Sequence, residues 1–224
     1  PHPLLLGDVD DETLDAVVDV AEEKGVWVMV DVAYRAFVFG ETPRYFSREP
    51  REAEIWMCSL SKEFRIPGWR VAYAIADPDL VRAVETIEQA RVLCPVRPLG
   101  EVLLRVFEDP EKLRRTKEYY EAGREKYARV ARRTCELLRE NIPDLRFPEP
   151  RGGFYVFFDH TAYTPDSRKL CRELLNEWQV ALAPGYDFGM DGWTRLSFAP
   201  TVEDISVVEE GVRRMAEYFR KLRR

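Results

Sequence analysis

The chain is short of several residue types that would otherwise fix its chemistry early. It has two His, two Asn, two Gln and four Cys in 224 residues. The cysteines, Cys58, Cys94, Cys135 and Cys171, stand far apart with no Cys-x-x-Cys spacing. That argues against a zinc site and a disulfide framework, and fits a reducing cytoplasm. No apolar run is long enough to span a membrane, and no stretch reads as a signal peptide. Positive charge is not in excess: the net charge is -6, which argues against a nucleic-acid partner. Internal repeats and low-complexity tracts are absent. Sparse Asn and Gln beside abundant Arg and Glu point to a thermophilic source.

What is present describes a globular chain. Hydrophobic residues make up 46% and charged residues 33%, enough apolar material for a core. The length allows one large domain or two modest ones. Asp10 or Asp11 caps a helix with Leu14, Val17, Val18 and Ala21 on one face, and Gly25 ends it. Residues 26–32 read as a strand buried on both faces, as in the centre of a parallel sheet. Residues 54–60 and 71–76 also read as strands. Helix and buried strand in this order are α/β grammar. Asp77-Pro78 opens a helix with Leu80, Val81, Val84 and Ile87 inward, Pro at the first turn losing no hydrogen bond. Residues 99–107 make a short helix.

Asp109-Pro110 then opens a long charged run to about Glu140, a helix of roughly 45 Å if continuous. Its charge reads as a solvated face rather than an RNA-binding one. The remainder reads α+β, with strands at 154–158, 180–183 and 193–198 and a helix from Pro165-Asp166 to near Trp178. Thr201-x-x-Asp204 resembles a capping box before the last helix. The basic residues 220–224 form that helix's solvated end. The expected domains are 1–109 and 110–224.

Chemistry concentrates in residues 59–73, Ser59-Leu-Ser-Lys62-Glu-Phe-Arg-Ile-Pro67-Gly68-Trp69-Arg70-Val-Ala-Tyr73. A lysine at the end of a buried strand can form a Schiff base with an aldehyde. Hydroxyls and an arginine nearby can hold a phosphate. Pyridoxal 5'-phosphate carries both groups. Lys62 and Arg70 taken singly also suit a solvated loop between strands.

The string Ser-x-Ser-Lys followed by Pro-Gly-Trp-Arg resembles the cofactor-lysine motif of the class I/II aminotransferases, fold-type I pyridoxal-phosphate enzymes. The resemblance implies that Lys62 carries the cofactor, with Ser59 and Arg70 on its phosphate. Asp31-Val-Ala-Tyr34 resembles the family's Asp-Glu-x-Tyr box, with Val32 in place of the usual Glu. There the Asp meets the pyridine nitrogen and the Tyr hydroxyl the ring oxygen. Asp31 alone also suits a turn cap. Arg195, in Trp193-Thr-Arg195-Leu-Ser-Phe198, resembles the arginine that pairs with the substrate's α-carboxylate; alone it also suits an exposed edge strand. Residues 150–155 and 183–189 resemble two further segments near the substrate mouth, with Tyr186-Asp187 where small residues are common.

The resemblance implies a mostly parallel three-layer α/β large domain, present here in part, followed by a smaller α+β C-terminal domain. It implies amino-acid and 2-oxo-acid substrates and a homodimer. It also starts in mid-family: the chain begins at Pro1, and a preceding segment with a phosphate loop and a ring-stacking aromatic is expected upstream. The family's Asn-Pro-x-Gly turn should lie near Pro3, where Pro3 and Gly7 stand without the Asn. The expected reaction is transamination of an L-amino acid such as aspartate or an aromatic one, with Lys62 as general base. A pyridoxal-phosphate β-lyase and an inactive module that dimerises without cofactor are the alternatives.

Overall fold

The computed structural model describes residues 9–223. His2 and the turn expected at Pro3 and Gly7 lie outside the described residues. The described chain forms two compact units that divide between Arg124 and Glu125.

In the first unit, helix α1 (Asp11–Lys24) starts where the Asp10 carboxylate accepts the Thr13 N–H at 2.7 Å. It stops at Gly25, left-handed at φ 63°, a conformation glycine adopts without Cβ strain. Leu14, Val18 and Ala21 are its buried stripe. Val17, expected on that face, is 48% exposed; the stripe is narrow and Val17 stands at its edge. Strand β1 (Val28–Asp31) runs parallel to β2 (Glu54–Ser59), which pairs antiparallel with β3 (Ala72–Ile75) in the order β1-β2-β3. Register sets Val30 beside Trp56, Asp31 beside Met57 and Ser59 beside Ala72. Val28, Val30, Trp56 and Cys58 join the stripe of α1 in one apolar cluster. Between β2 and β3 lies α2 (Leu60–Glu63), a single helical turn.

Two expectations fail here for one physical reason. Residues 26–32 are not a strand buried on both faces: β1 covers only Val28–Asp31 at the edge of the described sheet, and Met29 is 68% exposed. Helix α3 (Pro78–Val92) has no buried residue, and Val84 and Ile87 point outward. An apolar pattern states which face can be buried. It does not supply the element that covers it, and among the described residues only α1's side of the sheet has one. Helix α4 (Arg97–Phe107) buries only Leu103.

Helix α5 (Pro110–Asn141) is one continuous helix of 32 residues. Asp109 opens it by accepting the N–H groups of Glu111 and Lys112. Its second half buries Tyr127, Val130, Ala131, Thr134, Cys135, Leu137 and Leu138, the three-and-four spacing of an amphipathic helix.

In the second unit, β4 (Tyr155–Asp159), β5 (Ala183–Pro184) and β6 (Trp193–Ser197) form an antiparallel sheet with β6 in the centre. Helix α6 (Ser167–Trp178) and helix α7 (Ser206–Leu222) pack on each other. Phe158, Phe198, Phe219, Leu138, Ile142, Leu170, Leu174 and Met215 are under 2% exposed. Each is worth about 1.5–3 kcal/mol of transfer on burial, so this core holds the sheet firmly. Gln179, left-handed at φ 57°, ends α6, which makes residues 180–182 a connection rather than the expected start of a strand. The Thr201/Asp204 capping box is also corrected. Thr201 donates its N–H to the Phe198 carbonyl, closing a 3-10 turn, and its hydroxyl to the same oxygen. Asp204 accepts the N–H and hydroxyl of Ser206, where α7 begins.

Candidate functional site

Five of the six candidate residues belong to the first unit. Asp31 is the last residue of β1, and its Oδ1 accepts the Ala33 N–H at 2.9 Å. Ser59 ends the neighbouring parallel strand. Both strands therefore finish at one edge, the carboxyl edge where open α/β sheets gather ligands. Ser59 precedes α2, yet its hydroxyl does not bond to that helix. Lys62 stands in the single turn of α2, half-buried. Tyr34, also half-buried, opens the 3-10 turn Arg35–Phe37 just after β1. Arg70 follows the 3-10 turn Pro67–Trp69 with a left-handed backbone at φ 56°. Such a conformation costs a non-glycine residue about 1 kcal/mol or more and persists where the surroundings impose it. Its guanidinium donates to the Pro67 carbonyl at 2.8 Å.

A charged network lies against these residues. Glu63, next to Lys62, is 4% exposed and takes the Arg35 guanidinium on both carboxylate oxygens, from Nε and, at 3.3 Å, from Nη2. The same Nη2 donates to the Tyr73 hydroxyl at 2.7 Å. Burial pulls the Arg35 guanidinium down from its ordinary pKa, and the Glu63 carboxylate outweighs it, so the net shift is upward. Burial raises the Tyr73 phenol, against the nearby Arg35 charge. Burial raises the Tyr120 phenol as well, and the Glu63 charge adds to it. A cavity of about 250 Å³ opens beside the pair, with Lys117, Tyr120 and Arg124 on its wall.

Arg195 belongs to the second unit. It stands in β6 opposite Phe157 of β4 and Ala183 of β5. Its guanidinium carbon lies 4.4 Å from the centre of the Tyr155 ring and 4.6 Å from that of Phe188. Its Nε is buried without a hydrogen-bond partner, and no carboxylate pairs with it among the described residues. The turn that carries Phe188, Gly185–Phe188, is fixed by crowding. A Cβ on Gly185 would lie 2.2 Å from the Met190 carbonyl oxygen and 2.5 Å from that of Trp193.

The donor set fits a phosphate-bearing aldehyde with a protonated ring nitrogen. It offers an amine for the aldehyde carbon, a hydroxyl and a guanidinium for the phosphate, and a carboxylate for the ring. Among the described residues no cluster of His, Cys, Asp or Glu could hold a metal ion, and no helix is long and apolar enough to cross a membrane.

Ser59, Lys62 and Arg70 follow one another in the connection from β2 to β3, which starts at the carboxyl edge of an α/β sheet. The particular family follows: residues 7–212 match the family model for aminotransferase class I and II, and the chain belongs to that family. Among its relatives, a probable aspartate/prephenate aminotransferase of Aquifex aeolicus is 26% identical over 95% of this chain and 54% of its own length. An aspartate/prephenate aminotransferase of Thermus thermophilus is 29% identical over 94% of this chain and 51% of its own. The fold agrees. A Thermus thermophilus aspartate aminotransferase mutant superposes with a TM-score of 0.85 at 25% identity, covering 97% of this chain and 55% of that one. An aromatic aminotransferase from Pyrococcus horikoshii superposes at 0.83 and 24% identity, over 96% of this chain and 57% of that one. The chain thus spans about half the length of the curated relatives it matches.

Arg35, Glu63, Tyr155 and Phe188 were not singled out from the sequence. Arg35 and Glu63 left a faint signal, since each is a charge directly beside a candidate residue at the end of an apolar run. The rings on Arg195 lie in residues 150–155 and 183–189, read as segments near the substrate mouth, but their contact with Arg195 left no signal, because it joins residues from β4, β6 and a turn.

Proposed function

We propose that this chain is the lysine-bearing part of a pyridoxal-phosphate-dependent aminotransferase that moves an amino group from an L-amino acid to a 2-oxo acid. The observation that carries the reading is the shared carboxyl edge of β1 and β2, with Asp31 at one strand end and Ser59 and the Lys62 turn at the other. Lys62 would hold the cofactor's aldehyde carbon, Ser59 and Arg70 its phosphate, Asp31 its ring nitrogen and Tyr34 its ring oxygen. When bound, the cofactor supplies the electron sink for breaking bonds at the amino acid's α-carbon. The remaining work belongs to the chain. The Lys62 amine takes and returns the α-proton as general acid and base. Arg195 takes the substrate carboxylate, for which its planar fork is matched and which the Tyr155 and Phe188 rings help to orient. Aspartate and aromatic amino acids are the proposed donors, in keeping with the names of the relatives. A homodimer is the proposed assembly.

The test is chemical labelling. The purified chain is mixed with pyridoxal phosphate, reduced with borohydride and digested. The expected result is a visible absorbance band before reduction and the label on the Lys62 peptide. A folded chain with no band at any cofactor concentration overturns the reading and leaves the inactive module. If the label is found, incubation with single amino acids separates transfer from lysis, since pyruvate and ammonia without a 2-oxo acid acceptor mean a lyase.

A further inference from the structure

We propose that Arg35, Glu63 and Tyr73 are positioning residues that hold the Lys62 turn against the ends of β1 and β3; the inference rests on the reading of Lys62 as the cofactor's attachment point. Each member adjoins a candidate residue. Arg35 follows Tyr34, Glu63 follows Lys62, and Tyr73 lies on β3, three residues past Arg70. The bonds Arg35–Glu63 and Arg35–Tyr73 therefore tie together the three segments that carry Tyr34, Lys62 and Arg70.

The need for such a tie follows from the local structure. Helix α2 is four residues long, and a single turn does not hold its own shape in water. An amine that must meet one carbon atom has to be kept within about 0.5 Å of its working position. Neighbouring backbone bonds fix the turn's path in part: Phe64 N–H meets the Leu60 carbonyl and Ile66 N–H the Ser61 carbonyl. They do not connect it to β1. The Glu63 carboxylate does, through Arg35. Burying that carboxylate alone would cost several kcal/mol. The guanidinium offsets this with two-oxygen pairing, and it uses a further N–H on Tyr73. A lysine in place of Arg35 cannot span both partners from one planar group.

The geometry also explains the ring cluster behind the turn. Phe64 meets Tyr120 at 5.7 Å and Phe107 at 5.8 Å, both edge-on. These contacts seat α2 from the helix side while Arg35 seats it from the strand side. The carboxylate next to Lys62 thus acts as an anchor for the turn.

The test uses the chain with pyridoxal phosphate and three variants: Glu63→Gln, Arg35→Lys, and the double variant Arg35→Met with Glu63→Leu. Far-ultraviolet circular dichroism and urea midpoints check folding. The double variant removes both charges, so its stability stays near that of the parent. Two readouts follow: the affinity for pyridoxal phosphate from the visible absorbance, and the visible circular dichroism of the lysine-bound cofactor, which reports how firmly it is placed. We expect roughly a tenfold weaker affinity and at least a halved dichroic signal per bound cofactor in the double variant, with Glu63→Gln and Arg35→Lys between it and the parent. Unchanged affinity and dichroism in a labelled, folded double variant overturn the positioning role alone. A parent chain that takes no label overturns the cofactor reading and this inference with it.

Discussion

The Arg195 guanidinium stacks on the Tyr155 ring at 4.4 Å, across neighbouring strands of one sheet. The stack fixes the plane of the fork, and Phe188 at 4.6 Å fixes it from another side. A lysine at this position keeps the charge but loses the fork and the stacking. Arg195→Lys should therefore lower kcat/KM for the amino donor by roughly 100-fold, equal to about 3 kcal/mol. Tyr155→Leu should cost only a few-fold, because it removes the stack and leaves the fork. Steady-state kinetics with the cofactor-loaded chain measures both. Equal kcat/KM in Arg195→Lys and the parent would remove the carboxylate role from this residue.

The candidate site could be proposed from the sequence because most of its residues sit close together there. Ser59, Lys62 and Arg70 share one loop, and a loop's residue types at fixed spacing survive without any knowledge of packing. The family resemblance then reached Asp31 and Arg195, which no spacing argument connects to Lys62. Burial was less legible. The apolar faces of β1 and α3 were read as interior, but burial belongs to pairs of elements, and a periodic pattern names only one partner. Cap positions slipped for a related reason. Thr201 and Asp204 have the right spacing for a capping box, yet the Asp204 N–H donates to the Thr201 backbone carbonyl rather than to its hydroxyl, and the Asp204 carboxylate turns forward to Ser206. Arg35 and Glu63 each left a faint signal, but their pairing did not, because 28 residues separate them.

A second buried carboxylate makes a stability prediction. Glu54 is fully buried and takes Arg48 Nη1 at 2.6 Å, Arg48 Nη2 at 2.7 Å and the Arg51 N–H at 2.7 Å. Burial alone would raise its pKa; the Arg48 hydrogen bonds outweigh it, and the net shift is downward. The pair's contribution is therefore present above the ordinary value of 4.5 and lost as pH falls through the lower folded pKa. Arg48→Met leaves the carboxylate buried without its cation and should cost about 3 kcal/mol at neutral pH. In that variant burial prevails, Glu54 takes up a proton more readily, and the gap to the parent narrows in acid. Urea midpoints at neutral and acidic pH check both parts. Arg48→Met combined with Glu54→Leu should recover most of the loss, and a double variant as unstable as the single one would locate the cost elsewhere.

His160 gives the chain a pH-dependent stability in the opposite kind of group. The ring is fully buried in the second unit, its Nδ1 2.7 Å from the Thr164 carbonyl oxygen. A carbonyl only accepts, so Nδ1 carries the proton and donates, and Nε2 is left buried without a partner. Burial lowers the pKa from its ordinary 6.5, against the pull of the Thr164 carbonyl. Between that lowered value and 6.5 the unfolded chain binds a proton that the folded chain does not. Stability is then complete above pH 6.5, falls as the pH drops, and levels off below the folded pKa. The steepest slope from this one group is about 1.4 kcal/mol per pH unit. His160→Gln removes the titration while keeping an N–H for the Thr164 carbonyl. The difference in urea midpoint between parent and variant, followed from about pH 8 to pH 5, cancels the contributions of His2 and of the carboxylates common to both. It should favour the parent most at high pH and shrink as the parent loses stability in acid. A difference that stays constant across that range would mean that the His160 ring titrates alike in the folded and unfolded chain.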